Sequence, residues 1–372
     1  MKIKKTKHGK LIDGFTKYVA AEEEVIHNAQ FTEIDDFFGY RKKRKEKQLV
    51  ENYGPFELYT INEMMHLYHN AEFTFGRENC GHAQSLLRDI NKHGNRKQIA
   101  KAPGIFYIES LRNRFPNFQQ AIDQIAAATA LSKISEHQNF VMKPLLLLGP
   151  AGVGKTAFCQ AVAKIIDVPF KRIDIAQATT NAILSGLSLS WSTGHIGEIL
   201  KYLTTSPVIN PILLFDEIDK ASGNYRHQVE PTLLTLLEAE SSRSFKDEAM
   251  QLSINCEHMI IFATANDASQ MSQPLLSRFD VVNIRKPNQG EMKVIIQNMY
   301  EDYLNKNAWG KSFHPTLSEK VINLLIEHTP RRIKAILQAA FGKAALRGSQ
   351  EIGECDIENL EYETPSRKIG FI

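Results

Sequence analysis

Apolar residues in the middle of the chain fall into short continuous runs separated by longer segments of helical period. The runs are "PLLLLGP" from residue 144, "PFKRIDI" from 169, "PILLFDE" from 211, "MIIFATA" from 259 and "VVNIRK" from 281. Helical signals begin near Lys155, Ile196 and Glu230, between these runs. Short buried strands alternating with helices predict βαβ units and an open parallel sheet covered by helices.

The pattern changes on both sides of this region. Residues 105–134 carry the apolar period of one long helix, and after Pro287 three amphipathic stretches predict a small helical domain. Residues 1–104 read as polar, mainly helical stretches that end at a Pro-Gly break. We therefore expect a mainly helical N-terminal region at 1–104, a large α/β domain at 105–286 and a small helical domain at 287–372.

Composition adds limits on location and partners. The chain has 372 residues, 43% of them hydrophobic, and a net charge of only +3. Its four cysteines have no paired spacing, and no apolar run is long enough for a membrane span, so we expect a cytoplasmic protein with reduced thiols and no membrane contact. Basic runs at 2–10 and 41–47 could contact nucleic acid or an acidic protein, or could be solvated charge.

The first chemical motif is "GPAGVGKT", which follows the first buried run and opens a helix. This is the G-x-x-x-x-G-K-[ST] phosphate-loop pattern in its required strand-loop-helix context. Its backbone N–H groups and the helix N-terminus would cradle the phosphates of ATP. The predicted cofactor-binding residues of the loop are Gly149, Pro150, Ala151, Gly152, Val153, Gly154, Lys155 and Thr156. Lys155 would reach the β and γ phosphates, and Thr156 would ligate Mg²⁺.

Two further strands end in polar side chains. "PILLFDEID" delivers Asp216 and Glu217 at its carboxyl end, where ligands of open α/β sheets bind. Asp216 would hold Mg²⁺ directly or through water, and Glu217 would act as general base toward the attacking water. "IIFATAND" ends in Asn266, whose amide could orient that water against the γ phosphate.

These motifs, followed by "PLLSRFD" and "TPRRIKAIL", resemble the AAA+ ATPases over residues 105–365. Within that superfamily the chain looks most like the ATPase module of Lon proteases, without the peptidase domain. The resemblance implies a three-layer P-loop NTPase domain with a small helical lid. By the same resemblance, Arg278 is an arginine finger for a neighbouring subunit's γ phosphate. Arg331 matches the sensor 2 arginine, with Arg332 as the alternative.

The stretch "SWSTGHIG" holds one of the two tryptophans among residues that could not bury it well. Lon proteases have an aromatic residue and, six positions later, a glycine that leads into a helix, and Trp191 and Gly197 have that spacing. The resemblance implies a pore loop that grips unfolded polypeptide in a hexameric ring. The alternative is a tryptophan packed beneath the loop as a local core.

The resulting prediction is an ATP- and Mg²⁺-dependent homo-hexamer that remodels, unfolds or threads a protein partner. Two alternatives stay open. One is an AAA+ switch acting on nucleic acid through the N-terminal basic runs. The other is a nucleotide-dependent scaffold, against which the water-activating and charge-stabilising residues argue.

Overall fold

A computed structural model of the protein describes residues 55–177, 180–221 and 229–357. Its centre is a five-stranded, all-parallel sheet. The strands of the described chain are β1 (Phe56–Glu57), β2 (Arg96–Lys97), β3 (Leu145–Leu148), β4 (Phe170–Asp174), β5 (Ile212–Asp216), β6 (Phe245–Lys246), β7 (Ser253–Ile254), β8 (Ile260–Ala265) and β9 (Asp280–Asn283). The sheet has the order β4-β5-β8-β3-β9, while β1 with β2 and β6 with β7 form antiparallel pairs.

Helices cover the sheet and form the two flanking regions. They are α1 (Ile61–His69), α2 (Ala71–Phe75), α3 (Cys80–Asn91), α4 (Ile105–Glu109), α5 (Leu111–Arg114), α6 (Gln119–Ile134), α7 (Lys155–Ile166), α8 (Ala182–Ser185), α9 (Glu198–Thr205), α10 (Glu230–Leu237), α11 (Ala239–Ser242), α12 (Gln273–Leu276), α13 (Gln289–Lys306), α14 (Glu319–Leu325) and α15 (Pro330–Leu346). All five predicted strands of the sheet are present, which confirms the α/β fold.

The core explains why the strands read as continuous apolar runs. Every residue of β5 and β8 is buried, because helices lie on both faces of the sheet. Phe118 stacks on Phe158 of α7 with ring centroids 4.7 Å apart, and Phe115 meets Phe158 edge-on at 5.4 Å. These aromatic contacts fix the segment before α6 against the helix that follows the phosphate loop.

The single long helix predicted over 105–134 was wrong. The structure has two short helices, α4 and α5, then a 3-10 turn at Pro116–Phe118, and only α6 is long. Pro116 explains the break, since proline disfavours a helical conformation in the residue before it and has no N–H to donate. The break brings Phe115 and Asn117 to the edge of the cavity described below.

The three helices predicted after Pro287 are confirmed as α13, α14 and α15. They share a second apolar core in which Phe341 is surrounded by aromatic rings. Tyr300 stacks on Phe341 at 5.2 Å, and Trp309 lies 4.8 Å from it. This core is distinct from that of the α/β domain. We refer to α13–α15 as the small helical domain, and its bounds at 287–372 stay a prediction.

Residues 55–104 make specific contacts with the α/β domain. The buried ammonium of Lys97 donates to the carbonyl of Thr204, at the end of α9, over 2.7 Å, and burial lowers the pKa of Lys97 to about 8. Asn210 exchanges hydrogen bonds with the backbone of Ala100, and the N–H of Asn255 donates to the carbonyl of Leu58 over 2.7 Å. The division of domains at residue 104 stays a prediction, and the basic runs at 2–10 and 41–47 lie outside the described residues.

Within the described parts of the chain, no helix is both long and apolar enough to span a lipid bilayer.

Candidate functional site

The phosphate loop leaves β3 at a point of close approach between two backbones. A Cβ at Gly149 would lie 2.1 Å from the carbonyl oxygen of Ile284, so this position admits only glycine. Gly154 then takes a left-handed conformation, with φ of 105°, and forms the N-cap of α7. The loop therefore curls around the N-terminus of a 12-residue helix, where free N–H groups and the helix dipole favour a phosphate.

Lys155 is the buried cation of this loop. Its Nζ donates to the carbonyl oxygens of Gly149 and Pro150, the latter over 3.0 Å, and to Oδ1 of Asn266 over 3.0 Å. Burial lowers the pKa of Lys155, and the carboxylates of Asp216, Asp219 and Glu217 oppose that shift. The ammonium group is thus held among neutral oxygens that a phosphate can replace.

Asp216 ends β5 at the same edge of the sheet. Its Oδ2 accepts a hydrogen bond from Thr156 Oγ1 over 3.2 Å and an ion pair from Arg172 Nε over 2.7 Å. Its Oδ1 accepts a hydrogen bond from the hydroxyl of Thr264 on β8. The carboxylate is buried and held from three sides, so its position is set before any ligand arrives.

Glu217 follows Asp216 in a left-handed backbone conformation, with φ of 56° and ψ of 47°. Such a conformation costs free energy in a residue with a side chain and is found where surrounding structure enforces it. Here the N–H of Glu217 donates to Thr264 Oγ1 over 3.1 Å. Thr264 therefore contacts the carboxylate of Asp216 and the backbone of Glu217, and holds the turn between these two residues.

Asn266 lies just beyond the end of β8. Its Oδ1 accepts from Lys155, and its backbone N–H donates to Oδ2 of Asp219 over 3.3 Å. Asp219 is buried, and its other oxygen has no partner. The structure thus brings together Lys155, Thr156, Asp216 and Asn266, the side chains expected at a nucleotide site.

A cavity of about 540 Å³ adjoins the phosphate loop. Its walls come from the α5–α6 junction, from α7 and from the small helical domain, and include Phe115, Asn117, Gly154, Ala157, Ile295 and Pro330. The volume and the mixed lining suit a small organic ligand. The cavity and the loop together provide adjoining spaces for a nucleobase and its phosphates.

The oxygen atoms of Thr156 and Asp216 fit Mg²⁺, which prefers hard oxygen ligands and retains several waters. Among the described residues, no cluster of three His, Cys, Asp or Glu side chains is arranged as a metal site. A hydroxyl and a single carboxylate are what a nucleotide-bound Mg²⁺ requires, since phosphate oxygens and water complete its shell.

Arg278 lies at the opposite end of the sheet from the phosphate loop. It precedes β9, whose first residue, Asp280, is in register with Leu145, the first residue of β3. The phosphate loop leaves the other end of β3, about 13 Å away along the strand. The side chain of Arg278 is half-exposed and forms an ion pair of 3.2 Å with Glu238. Arg278 therefore cannot reach the phosphate loop of the same chain.

The candidate sensor arginines lie in the first turn of α15, Arg331 exposed and Arg332 half-buried. The N-cap of that helix, Thr329, accepts a hydrogen bond from the N–H of Arg332 over 3.4 Å. A Cβ at Gly152 would lie 3.5 Å from Cβ of Thr329. The start of this helix therefore lies beside the phosphate loop.

The loop around Trp191 is a short hairpin between Leu187 and His195, which exchange backbone hydrogen bonds of 2.8 and 3.0 Å. At its tip, the N–H of Trp191 donates to the carbonyl of Ser188 over 3.1 Å. The side chain of Trp191 is 66% exposed, so the packing alternative is wrong. A Cβ at Gly197 would lie 2.3 Å from the carbonyl oxygen of Leu184, which accounts for that glycine.

Asp247 connects this hairpin to a second one, formed by β6 and β7. Its Oδ2 accepts from the N–H of Gly197 over 2.8 Å, and its Oδ1 accepts from Ala249 and Met250 over 3.1 and 2.9 Å. Burial raises the pKa of Asp247 to about 6, and the three backbone N–H groups limit the rise. The base of the Trp191 hairpin is therefore anchored to the β6–β7 hairpin.

Three residues of the site were not singled out from the sequence: Arg172, Asp219 and Thr264. Thr264 had a detectable signal, since it is the single hydroxyl inside the buried run "IIFATA" and buried hydroxyls need partners. Asp219 is the second aspartate of "DEID". Arg172 gave no signal, because the ion pair depends on the pairing of β4 with β5.

Residues 145–286 match the sequence profile of the family described as "ATPase family associated with various cellular activities (AAA)". This range contains all five strands of the sheet and the whole phosphate loop. Residues 145–286 are an AAA ATPase domain. The match covers the five-stranded sheet and confirms the AAA+ resemblance and the fold class drawn from the sequence.

Curated proteins similar to this chain include Lon proteases. The chain is 28% identical to the Lon protease of Lachnoclostridium phytofermentans over 188 residues, covering 50% of this chain and 23% of the relative. It is 27% identical to the mitochondrial Lon protease homolog of Emericella nidulans over 217 residues, 57% and 20% of the two chains. It is 32% identical to the peroxisomal Lon protease homolog 2 of Eremothecium gossypii over 161 residues, which cover 41% of this chain and 16% of the relative. The matched residues thus span less than a quarter of the length of each of these three relatives.

Among solved structures, a variant of RuvB from Thermotoga maritima aligns with 64% of this chain and 68% of its own, at 15% identity and a TM-score of 0.43.

Proposed function

We propose that this AAA protein binds and hydrolyses ATP within an assembled ring and uses the energy to remodel, unfold or thread a protein partner. The convergence of Lys155, Thr156, Asp216 and Asn266 at one edge of the sheet carries the proposal. Each has a defined task in phosphoryl transfer, and together they include parts that binding alone does not need.

ATP would bind with its phosphates in the loop and its base in the adjoining cavity. The ammonium group of Lys155 would exchange the carbonyls of Gly149 and Pro150 for phosphate oxygens. Thr156 and Asp216 would hold Mg²⁺, which supplies charge neutralisation on the β and γ phosphates. Asn266, fixed by Lys155 and Asp219, would orient the attacking water.

Glu217 would accept the proton of that water. Glu217 follows Asp216 in a left-handed backbone turn, and we assign the metal to the carboxylate of Asp216 and the water to that of Glu217. Because Thr264 contacts the carboxylate of Asp216 and the backbone of Glu217, it would hold the turn between them in place during the reaction.

The position of Arg278 supports the proposal of assembly. A guanidinium supplied in trans can stabilise the charge that develops on the transferring phosphoryl oxygens. Since Arg278 lies at the far end of the sheet from its own phosphate loop, this role requires a second copy of the chain. We propose a homo-oligomeric ring, and a hexamer as its closed form.

The exposed ring of Trp191 supports a polypeptide as the partner. A large aromatic surface on a hairpin can contact varied side chains and backbone without sequence preference. The similar proteins are named Lon proteases. We propose a polypeptide substrate for this chain as well.

The test uses Glu217→Gln, which removes the base and leaves the phosphate loop intact. We expect this variant to bind ATP, to lose turnover by about 10²-fold or more, and to retain an added unfolded polypeptide in a ring seen by electron microscopy. Trp191→Ala on the same background should form the ring without retaining the polypeptide. Monomers without polypeptide, or turnover stimulated by DNA alone, would contradict the proposal.

A further inference from the structure

Two carboxylates face each other across neighbouring strands next to the phosphate loop. Asp174 at the end of β4 is in register with Asp216 at the end of β5. Between them lies the guanidinium of Arg172, with Nε 2.7 Å from Asp216 Oδ2 and Nη2 3.3 Å from Asp174 Oδ2. One cation thus bridges two acidic groups.

Both carboxylates are held in place independently of Arg172. Asp174 accepts from the N–H of Ala176 over 3.2 Å and from Nε2 of Gln177 over 3.0 Å. Asp216 accepts from the hydroxyls of Thr156 and Thr264. Removing the guanidinium would therefore leave two fixed carboxylates on strands spaced about 4.8 Å apart.

That arrangement has the chemistry of a divalent-cation site. Carboxylate oxygens are the ligands that Mg²⁺ or Mn²⁺ prefers, and two adjacent negative charges without a counter-ion repel each other. The oxygen that Arg172 contacts, Oδ2 of Asp216, is also the one that Thr156 contacts. The guanidinium therefore contacts the carboxylate oxygen nearest the expected magnesium position.

We propose that Arg172 is a counter-cation that excludes free divalent metal from Asp216 until a nucleotide brings it. The inference rests on the proposed nucleotide site. The side chain of Arg172 is 46% exposed, whereas that of Asp216 is 10% exposed. The guanidinium can withdraw into solvent from the open edge strand β4 while the carboxylate stays fixed. Metal binding thereby becomes coupled to triphosphate binding.

The test measures Mn²⁺ binding to the nucleotide-free protein by electron paramagnetic resonance of the free ion. We expect weak binding to the wild-type protein and one added site, at least about tenfold tighter, in Arg172→Gln. Asp216→Asn introduced into Arg172→Gln should remove that site. Arg172→Met provides a second replacement of different polarity. Arg172→Gln and Arg172→Met should both keep the circular dichroism spectrum of the wild-type protein, because β4 is an edge strand and Arg172 is half-exposed.

The matched control is Arg243→Gln. Arg243 is an exposed arginine paired with Glu257 over 2.6 Å, and its loss should leave Mn²⁺ binding unchanged. Equal Mn²⁺ affinity in the wild-type protein and both Arg172 variants would overturn the proposal, as would a gain that persists without Asp216. Because no nucleotide is present, this failure differs from failure of the proposed function, in which the wild-type protein would not bind or hydrolyse ATP.

Discussion

The amide oxygen of Asn266 accepts a hydrogen bond of 3.0 Å from the ammonium of Lys155. This bond links the end of β8 to the phosphate loop that follows β3, two strands that are paired in the sheet. It also leaves the amide of Asn266 oriented before a nucleotide binds. The residue that would position water and the residue that would bind phosphate therefore share one local arrangement.

Replacing Asn266 separates binding from chemistry. We expect Asn266→Ala to bind ATP with near-normal affinity and to lower kcat by about 10²- to 10³-fold, because an oriented polar group at the reacting centre is lost. Lys155→Ala should abolish nucleotide binding itself. Steady-state kinetics and a fluorescent-nucleotide titration distinguish the two. Asn283→Ala, at an exposed end of β9, is the control that should leave both quantities unchanged.

Mixing two inactive variants tests whether Arg278 acts in trans. Arg278→Ala and Lys155→Ala should each be inactive alone, for different reasons. In a mixed ring, an intact phosphate loop from one copy can meet an intact Arg278 from its neighbour, so turnover should return to a measurable fraction of wild type. A mixture that shows assembly by light scattering but stays inactive at every ratio would exclude this arrangement.

The two tryptophans give a matched pair for the exposed hairpin. Trp191→Ala should leave the free energy of unfolding within about 0.5 kcal/mol of wild type, because the side chain packs against little. Trp309→Ala should cost about 2 kcal/mol, because its ring packs on Phe341 in the helical domain. Denaturant unfolding measures both. Partner processing should fail in Trp191→Ala, and a strongly destabilised Trp191→Ala would contradict the exposed placement.

The stability that Asp247 contributes by joining the Trp191 hairpin to the β6–β7 hairpin should depend on pH. Burial raises its pKa to about 6, above the value in the unfolded chain, so its contribution to stability is greatest below pH 4 and falls as the pH rises through 6. The stability of wild type relative to Asp247→Asn should therefore be larger at pH 4 than at pH 7, by up to about 3 kcal/mol. Urea unfolding of both proteins between pH 4 and 7 would reveal the difference, and a flat difference would contradict it.

The sequence allowed the α/β domain and most of its site to be predicted for a simple physical reason. Buried parallel strands are continuous apolar runs, and the polar residues that end them meet at one edge of the sheet. Lys155, Asp216 and Asn266 follow that rule, and the structure places them together. Their catalytic roles stay predictions that the variants above address.

Other features depend on contacts between distant segments, which have no local signature. Arg172 reaches Asp216 only because β4 and β5 pair in one register. The contacts of Lys97 with Thr204 and of Asn210 with Ala100 likewise join segments more than 100 residues apart. The single helix predicted over 105–134 was wrong although a local signal was present. The apolar periodicity was given more weight than Pro116, which breaks the helix.

The position of Thr329 beside Gly152 has a mechanical consequence. Thr329 begins α15, a rod of 17 residues and therefore about 25 Å long. A tilt of about 10° at the end nearest the phosphate loop would displace the far end by about 4 Å, since displacement grows with distance from the pivot. In the proposed ring, a small adjustment near the phosphate loop would therefore become a larger displacement at the far end of α15.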